Sequence, residues 1–243
     1  TGNSVGPRNK KSVGMNGRVR DSGPFSASPR YARHWAWLTL IAVLVTPVFW
    51  LTDLDMTVAR WFYHPVENDP WGLAQNPLWQ LVNIGTPILA IALGLGAIAG
   101  ILVATARHHW RPAARPALFL LLTLVVGPGL LINGVFKEDW GRPRPRHVQQ
   151  LGGDQEFIPP LKPNFGGSGT SFPSGHTSVG FSLATLWLLV PATRRRLARA
   201  ILGAGMGAGI LIGIGRFADG AHFLSDVIWS GILTYAVALL VLQ

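Results

Sequence analysis

LVNIGTPILAIALGLGAIAGILVA, from Leu81 to Ala104, runs without a single charged residue. A helix rises about 1.5 Å per residue, so a run of this length crosses a hydrocarbon core of about 30 Å. It lacks the apolar and polar alternation of a barrel strand. Backbone groups in lipid must be satisfied within the segment, which leaves a helix. Similar apolar runs lie at Trp35 to Leu51, Ala114 to Phe136, Thr177 to Pro191, Ala198 to Gly215 and Phe223 to Leu242. The sequence therefore predicts an all-α integral membrane bundle of six transmembrane helices, the fourth and fifth of them short.

Composition agrees. Of 243 residues, 49% are hydrophobic and only 13% charged, too apolar for an ordinary soluble domain. Residues 1–33, rich in Gly, Ser, Asn, Lys and Arg, read as a disordered basic tail, with Met15 a candidate start residue. Residues 34–243 read as one transmembrane domain. The net charge of +10 comes from basic residues scattered among apolar runs, not from a basic face interleaved with aromatics, so no nucleic-acid partner is expected. With no cysteine, disulfide and thiolate-metal chemistry are excluded.

Loop charge sets an orientation. Arg18, Arg20, Arg30 and Arg33 precede the first helix; Arg107, Arg111 and Arg115 follow the second; Arg194, Arg195, Arg196 and Arg199 follow the fourth. The positive-inside rule puts these regions and both termini in the cytoplasm. The first loop carries Asp53, Asp55, Glu67 and Asp69 against Arg60, as suits the outer face. Trp35, Trp37, Trp50, Trp61, Trp71 and Trp79 read as an aromatic belt. Glycines at 203, 205, 207, 209 and 213, like Gly96 and Gly100, read as helix-packing positions. Gly166 to Gly169 read either as a mobile lid or as a flexible connector.

Counting crossings brings three polar stretches to one outer boundary: Lys137 to Pro145, Pro173 to His176, and Arg216 to Asp226. Two histidines, a carboxylate and several fixed cations suit phosphoryl transfer. His222 and Asp226 stand four apart and share a face if a helix starts near His222, so Asp226 would orient a nucleophilic imidazole. His176 follows Pro173, Ser174 and Gly175 at a helix start, where free amides attract an anion. Lys137, Arg144 and Arg216 would bind phosphoryl oxygens, with Ser174 as a further donor and Gly175 allowing close backbone approach. Arg142, Arg146 and Lys162 read equally well as site cations or as residues reaching for headgroups. Asp219 would either orient Arg216 or face water. No His and carboxylate set has metal-ligand spacing, so no metal and no cofactor is expected.

Lys137, six residues, Arg144 and Pro145; then Pro173, Ser174, Gly175, His176; then Arg216, five residues, His222, three residues, Asp226: this order resembles the type 2 phosphatidic acid phosphatase superfamily. The resemblance implies that His222 attacks phosphorus to form a phosphohistidine and that His176 protonates the leaving oxygen. It departs at Gly215, where the family commonly has Ser. It implies a metal-independent phosphoric monoester or diphosphate hydrolase of the bacterial inner membrane, with its active site at the periplasmic boundary. The substrate class is a phosphorylated membrane lipid: undecaprenyl pyrophosphate, lipid A 1-phosphate or phosphatidylglycerophosphate. A lipid-to-lipid phosphotransferase is the alternative within the family, and an anion transporter is the non-enzymatic one.

Overall fold

The computed structural model describes residues 29–65 and 69–243. The expected disordered tail lies, as far as residue 28, outside the described residues, as does Glu67. Helix α1 spans Pro29–Leu51, so the predicted tail ends sooner than residue 33. A short α2, Leu54–Arg60, follows, then α3, Pro77–Ala106, and α4, Arg111–Leu124. After the long loop come α5, Gly175–Thr185, α6, Arg195–Ala218, and α7, Leu224–Val241. Among the described residues there is no strand, only isolated bridges such as Gly141 with Gly169.

Helix α4 changes its winding. Pro128 has no N–H to give, and from Val125 to Phe136 the chain continues as a π-helix. Asn133 Nδ2 donates to the Pro128 carbonyl at 2.6 Å, a side-chain bond within this segment. A last turn, Lys137–Asp139, carries Lys137 to the end of the bundle.

Among the described residues, five stretches are long and apolar enough to cross a membrane: Tyr31–Leu51, Pro77–Ala106, His108–Asp139, Ala192–Ala218 and Leu224–Val241. The predicted fourth span is different. Helix α5 is 11 residues long, prolonged by a 3-10 turn over Leu186–Leu189, and is almost wholly buried. It packs against α4, α6 and α7, so its length need not match the bilayer. Its hydroxyls are satisfied locally: Ser178 donates to Gly175 O (2.7 Å), Ser182 to Ser178 O (2.8 Å) and Thr185 to Ser182 O (2.6 Å). The glycines of α6 divide by face. Gly205, Gly209 and Gly213 meet α5 and α7, whereas Gly203 and Gly207 touch nothing within 4 Å. In α3, Gly100 meets Ala117 and Gly96 is open.

At the site end, α2 and the loop between Trp140 and Ser174 form a cap with its own core of Met56, Ala59, Trp71, Val148, Leu151 and Phe223. Trp37, Trp50 and Trp61 are exposed, as a belt requires, but Trp71 is buried in this cap. Its ring lies over Gly220, where φ is +55° and an added Cβ would sit 2.6 Å from the indole, so only glycine fits. Gly166 to Gly169 are tied down. Gly167 N donates to Asn164 O (2.9 Å), Gly169 pairs with Gly141, and Ser171 N donates to Arg142 O (3.0 Å).

Candidate active site

Ser174 sits at the N-cap of α5 in extended conformation, yet its hydroxyl makes no capping bond. Ser174 Oγ is buried and lacks a partner among the described residues. The first amides of α5 have no intrahelical acceptor, so a hydroxyl and a helix N-terminus offer donors together. At Gly175 an added Cβ would lie 2.8 Å from Asn133 Oδ1; the missing side chain lets the π segment lie against the helix start. His176 comes next, half-buried, beside the Asn83 backbone of α3, with Arg216, His222 and Lys137 as charged or titratable neighbours.

His222 lies in the turn between α6 and α7 and is 2% exposed. Its Nδ1 is 2.6 Å from the Ser171 carbonyl, an acceptor only, so Nδ1 carries the proton and Nε2 the lone pair. Asp226 Oδ2 is 3.6 Å from Nδ1. The expected pairing of His222 with Asp226 is thus indirect in geometry, and its origin is not a shared helix face. Helix α7 starts after His222; Asp226 instead closes the first turn by accepting the Phe223 N–H (2.8 Å). The same Oδ2 accepts the Ser171 hydroxyl at 2.5 Å. Burial pulls the His222 imidazole down to a pKa of about 4, against the opposing pull of Asp226, so it is neutral at pH 7.

The cations come from three elements. Lys137 ends α4, Arg216 is in the last turn of α6, and Arg144 is in the loop; Lys137 lies within electrostatic range of both arginines. Arg144 Nη2 donates to Thr170 Oγ1 (2.9 Å), and the buried Arg144 Nε and Arg216 Nε have no partner among the described residues. Asp219, expected either to orient Arg216 or to face water, pairs with Arg216 (3.2 Å) and Arg146 (3.3 Å). Lys162 is exposed. Gly215, the departure from Ser, stands where α3 lies close to α6, an added Cβ falling 3.1 Å from Val82 and 3.3 Å from the Trp79 ring.

Sequence reasoning missed three participants. Arg142, left undecided between site and headgroup, is fully buried and ion-paired to Asp226 and Asp55. Asp55, taken as outer-loop charge, is 1% exposed. Ser171 serves through its carbonyl as well as its hydroxyl, and a carbonyl leaves no side-chain signal.

The sequence pattern of the PAP2 superfamily matches residues 116–243. This chain belongs to the PAP2 superfamily. The matched stretch holds every PAP2 motif residue from Lys137 to Asp226 but stops short of Asp55. Among curated proteins, the chain is similar to a Lipid A 4'-phosphatase of Francisella tularensis subsp. novicida, 39% identical over 118 residues, which is 48% of this chain and 52% of that protein. A Lipid A 4'-phosphatase of Rhizobium leguminosarum is 40% identical over 125 residues, 49% of this chain and 52% of that one. The PAP2 chain thus matches about half the length of these relatives. In fold it resembles a transmembrane PAP2 type phosphatidylglycerolphosphate phosphatase from Bacillus subtilis, with a TM-score of 0.50, 19% identity, and coverage of 85% of this chain and 92% of that one. The chain is an all-α, multi-pass membrane protein with bacterial PAP2 relatives.

Proposed function

We propose that this protein is a membrane lipid phosphatase that works through a phosphohistidine on His222. The observation that carries the reading is a set of buried donors without protein partners among the described residues, Ser174 Oγ, Arg144 Nε and Arg216 Nε, beside a neutral, tautomer-fixed imidazole. Buried polar atoms are nearly always paired, so several unpaired donors of one sign in one place suit a ligand rich in acceptors. A phosphoryl group has such oxygens, and its transition state spreads negative charge over them.

In this reading His222 Nε2 bonds to phosphorus as the bond to the lipid oxygen breaks, and His176 donates the proton that oxygen takes up. His176 then accepts a proton from the water that attacks the phosphohistidine, releasing phosphate and free His222. Lys137, Arg144, Arg216, Ser174 and the α5 amides hold the equatorial oxygens throughout. The basic turns at Arg107 to Arg115 and Arg194 to Arg199 lie at the opposite end of the bundle from His222, which supports cytoplasmic termini and an active site facing the periplasm.

For the substrate, the names of the relatives favour a phosphorylated glycolipid, lipid A bearing a 4'-phosphate, over undecaprenyl pyrophosphate and phosphatidylglycerophosphate. Purified protein in detergent should release phosphate fastest from bis-phosphorylated lipid A, with the product shown by mass spectrometry to have lost the 4'-group. No release from any of the three lipids would overturn the function; release from another one alone would overturn the substrate.

Ser174→Ala is expected to lower kcat by about 100-fold, as for loss of one transition-state donor. The hydroxyl makes no hydrogen bond among the described residues, so thermal unfolding should be unchanged. A large fall in melting temperature with intact kcat would assign Ser174 to the fold instead.

A further inference from the structure

Behind His222 lies a buried ionic chain that the motif residues do not account for. Arg142 is 0% exposed, and its guanidinium lies 4.7 Å over the Phe223 ring and 5.6 Å from that of Phe157. Its Nε donates to Ile158 O (2.8 Å), Nη1 to Ser225 Oγ (2.8 Å) and to Asp226 Oδ1, and Nη2 to Asp55 Oδ2 (2.8 Å). Asp55 also accepts from Ser225, at 2.9 Å from N–H and 2.6 Å from the hydroxyl. The hydrogen bonds to the Asp55 carboxyl, from Arg142 Nη2, Ser225 N and Ser225 Oγ, all come from donors, the arrangement of an ionised carboxylate. Burial, and after it the neighbouring Asp226 charge, push that carboxyl up against the pull of Arg142 and Ser225, and the net shift is upward.

One guanidinium between two carboxylates leaves a net charge of −1. An uncompensated buried charge is costly, and here it faces His222. We infer that Asp55 and Arg142 are positioning residues for the nucleophile: Arg142 clamps the Asp226 carboxylate beside His222, and Asp55 offsets the guanidinium so that Asp226 still acts on the ring as a negative charge. Without Asp55, Arg142 would neutralise Asp226. With it, the chain stabilises the positive charge that the imidazole acquires as Nε2 bonds to phosphorus. Asp55 comes from α2, outside the PAP2-matched residues, so the cap completes the electrostatics of the site. Other groups facing His222 are Arg216 of α6, Lys137 at the end of α4 and His176 of α5, with Arg144 near the first two. All of these stay the same in the variants below.

The inference rests on the proposed phosphatase reading, and the test separates the two. Kinetics on bis-phosphorylated lipid A against pH would be run for wild type, Asp55→Asn, Arg142→Gln and the double variant, with His222 titration followed by NMR of 15N-histidine-labelled protein. The charge on the chain goes from −1 to 0 in Asp55→Asn, to −2 in Arg142→Gln, and returns to −1 in the double variant. Loss of negative charge disfavours the imidazolium, so Asp55→Asn should move the acid limb of kcat/KM and the His222 titration down by about one pH unit. Arg142→Gln should move both up by about one unit, and the double variant should restore them. Asp55→Asn should also lower kcat about 10-fold with KM little changed. Unmoved limbs, or shifts of the same sign in both single variants, overturn the inference, because loss of packing cannot reverse sign with charge. If Arg142→Gln does not fold, Asp55→Asn decides alone: a downward shift supports the inference and an unmoved titration overturns it. If wild type releases no phosphate, the phosphatase reading fails, and the NMR titration still decides whether the chain controls His222.

Discussion

Replacing His222 with alanine is expected to abolish turnover, lowering kcat by at least about 10⁴-fold, because the group that bonds to phosphorus is gone. The residual rate would come only from Lys137, Arg144, Arg216 and the α5 N-terminus. Folding should survive. The imidazole's main hydrogen bond is to the Ser171 carbonyl (2.6 Å), and leaving that acceptor unpaired costs about 1–3 kcal/mol, a loss a bundle of this size tolerates. The measurement is phosphate release from detergent-solubilised protein, with trapping of labelled phosphoenzyme by an alkaline detergent quench in parallel. Wild type should accumulate an acid-labile, base-stable label that the variant lacks. Turnover within 10-fold of wild type, or a label that persists in the variant, would remove His222 from the role of nucleophile.

Gly205→Ala should be the most disruptive single methyl in the bundle. Its Cβ would fall 2.2 Å from the Ala184 backbone nitrogen and 2.4 Å from Ala184 Cα, and backbone cannot rotate aside as a long side chain can. Helices α5 and α6 would have to separate, at a cost of about 3 kcal/mol. Because α5 begins at the phosphate cradle and α6 carries Arg216, activity should fall together with stability. Gly203→Ala is the control two residues away on the same helix. Nothing lies within 4 Å of its added Cβ, so it should leave stability unchanged or raise it by up to about 1 kcal/mol. Thermal unfolding in detergent distinguishes the two, and equal melting temperatures would refute the close contact between α5 and α6.

The polar stretches were readable because their chemistry is local in sequence. Pro173 to His176 is contiguous, and His222 and Asp226 are only four residues apart, so type and spacing reveal them. The α5 helix was harder. Hydropathy counts apolar residues without saying whether lipid or protein surrounds them, so it could not show that the fourth expected span is built on an 11-residue helix enclosed by its neighbours. The glycines of α6 raised a similar difficulty, since five of them fit a packing stripe and only the contacts separate 205, 209 and 213 from 203 and 207.

What the sequence determined by itself was the all-α membrane class, from runs whose backbone only a helix can satisfy in lipid, and it supplied the set of residues proposed to bind and attack phosphate. What only the tertiary structure decided was how His222 is held. His222 donates to a carbonyl, Asp226 is fastened by Arg142, and Asp55 reaches that pair across 87 residues of chain. A carbonyl has no residue-type signature, and a charge in a loop looks the same in sequence whether it faces water or a buried guanidinium. Only folding, which removes the water, separates the two, because a buried charge must find its partner.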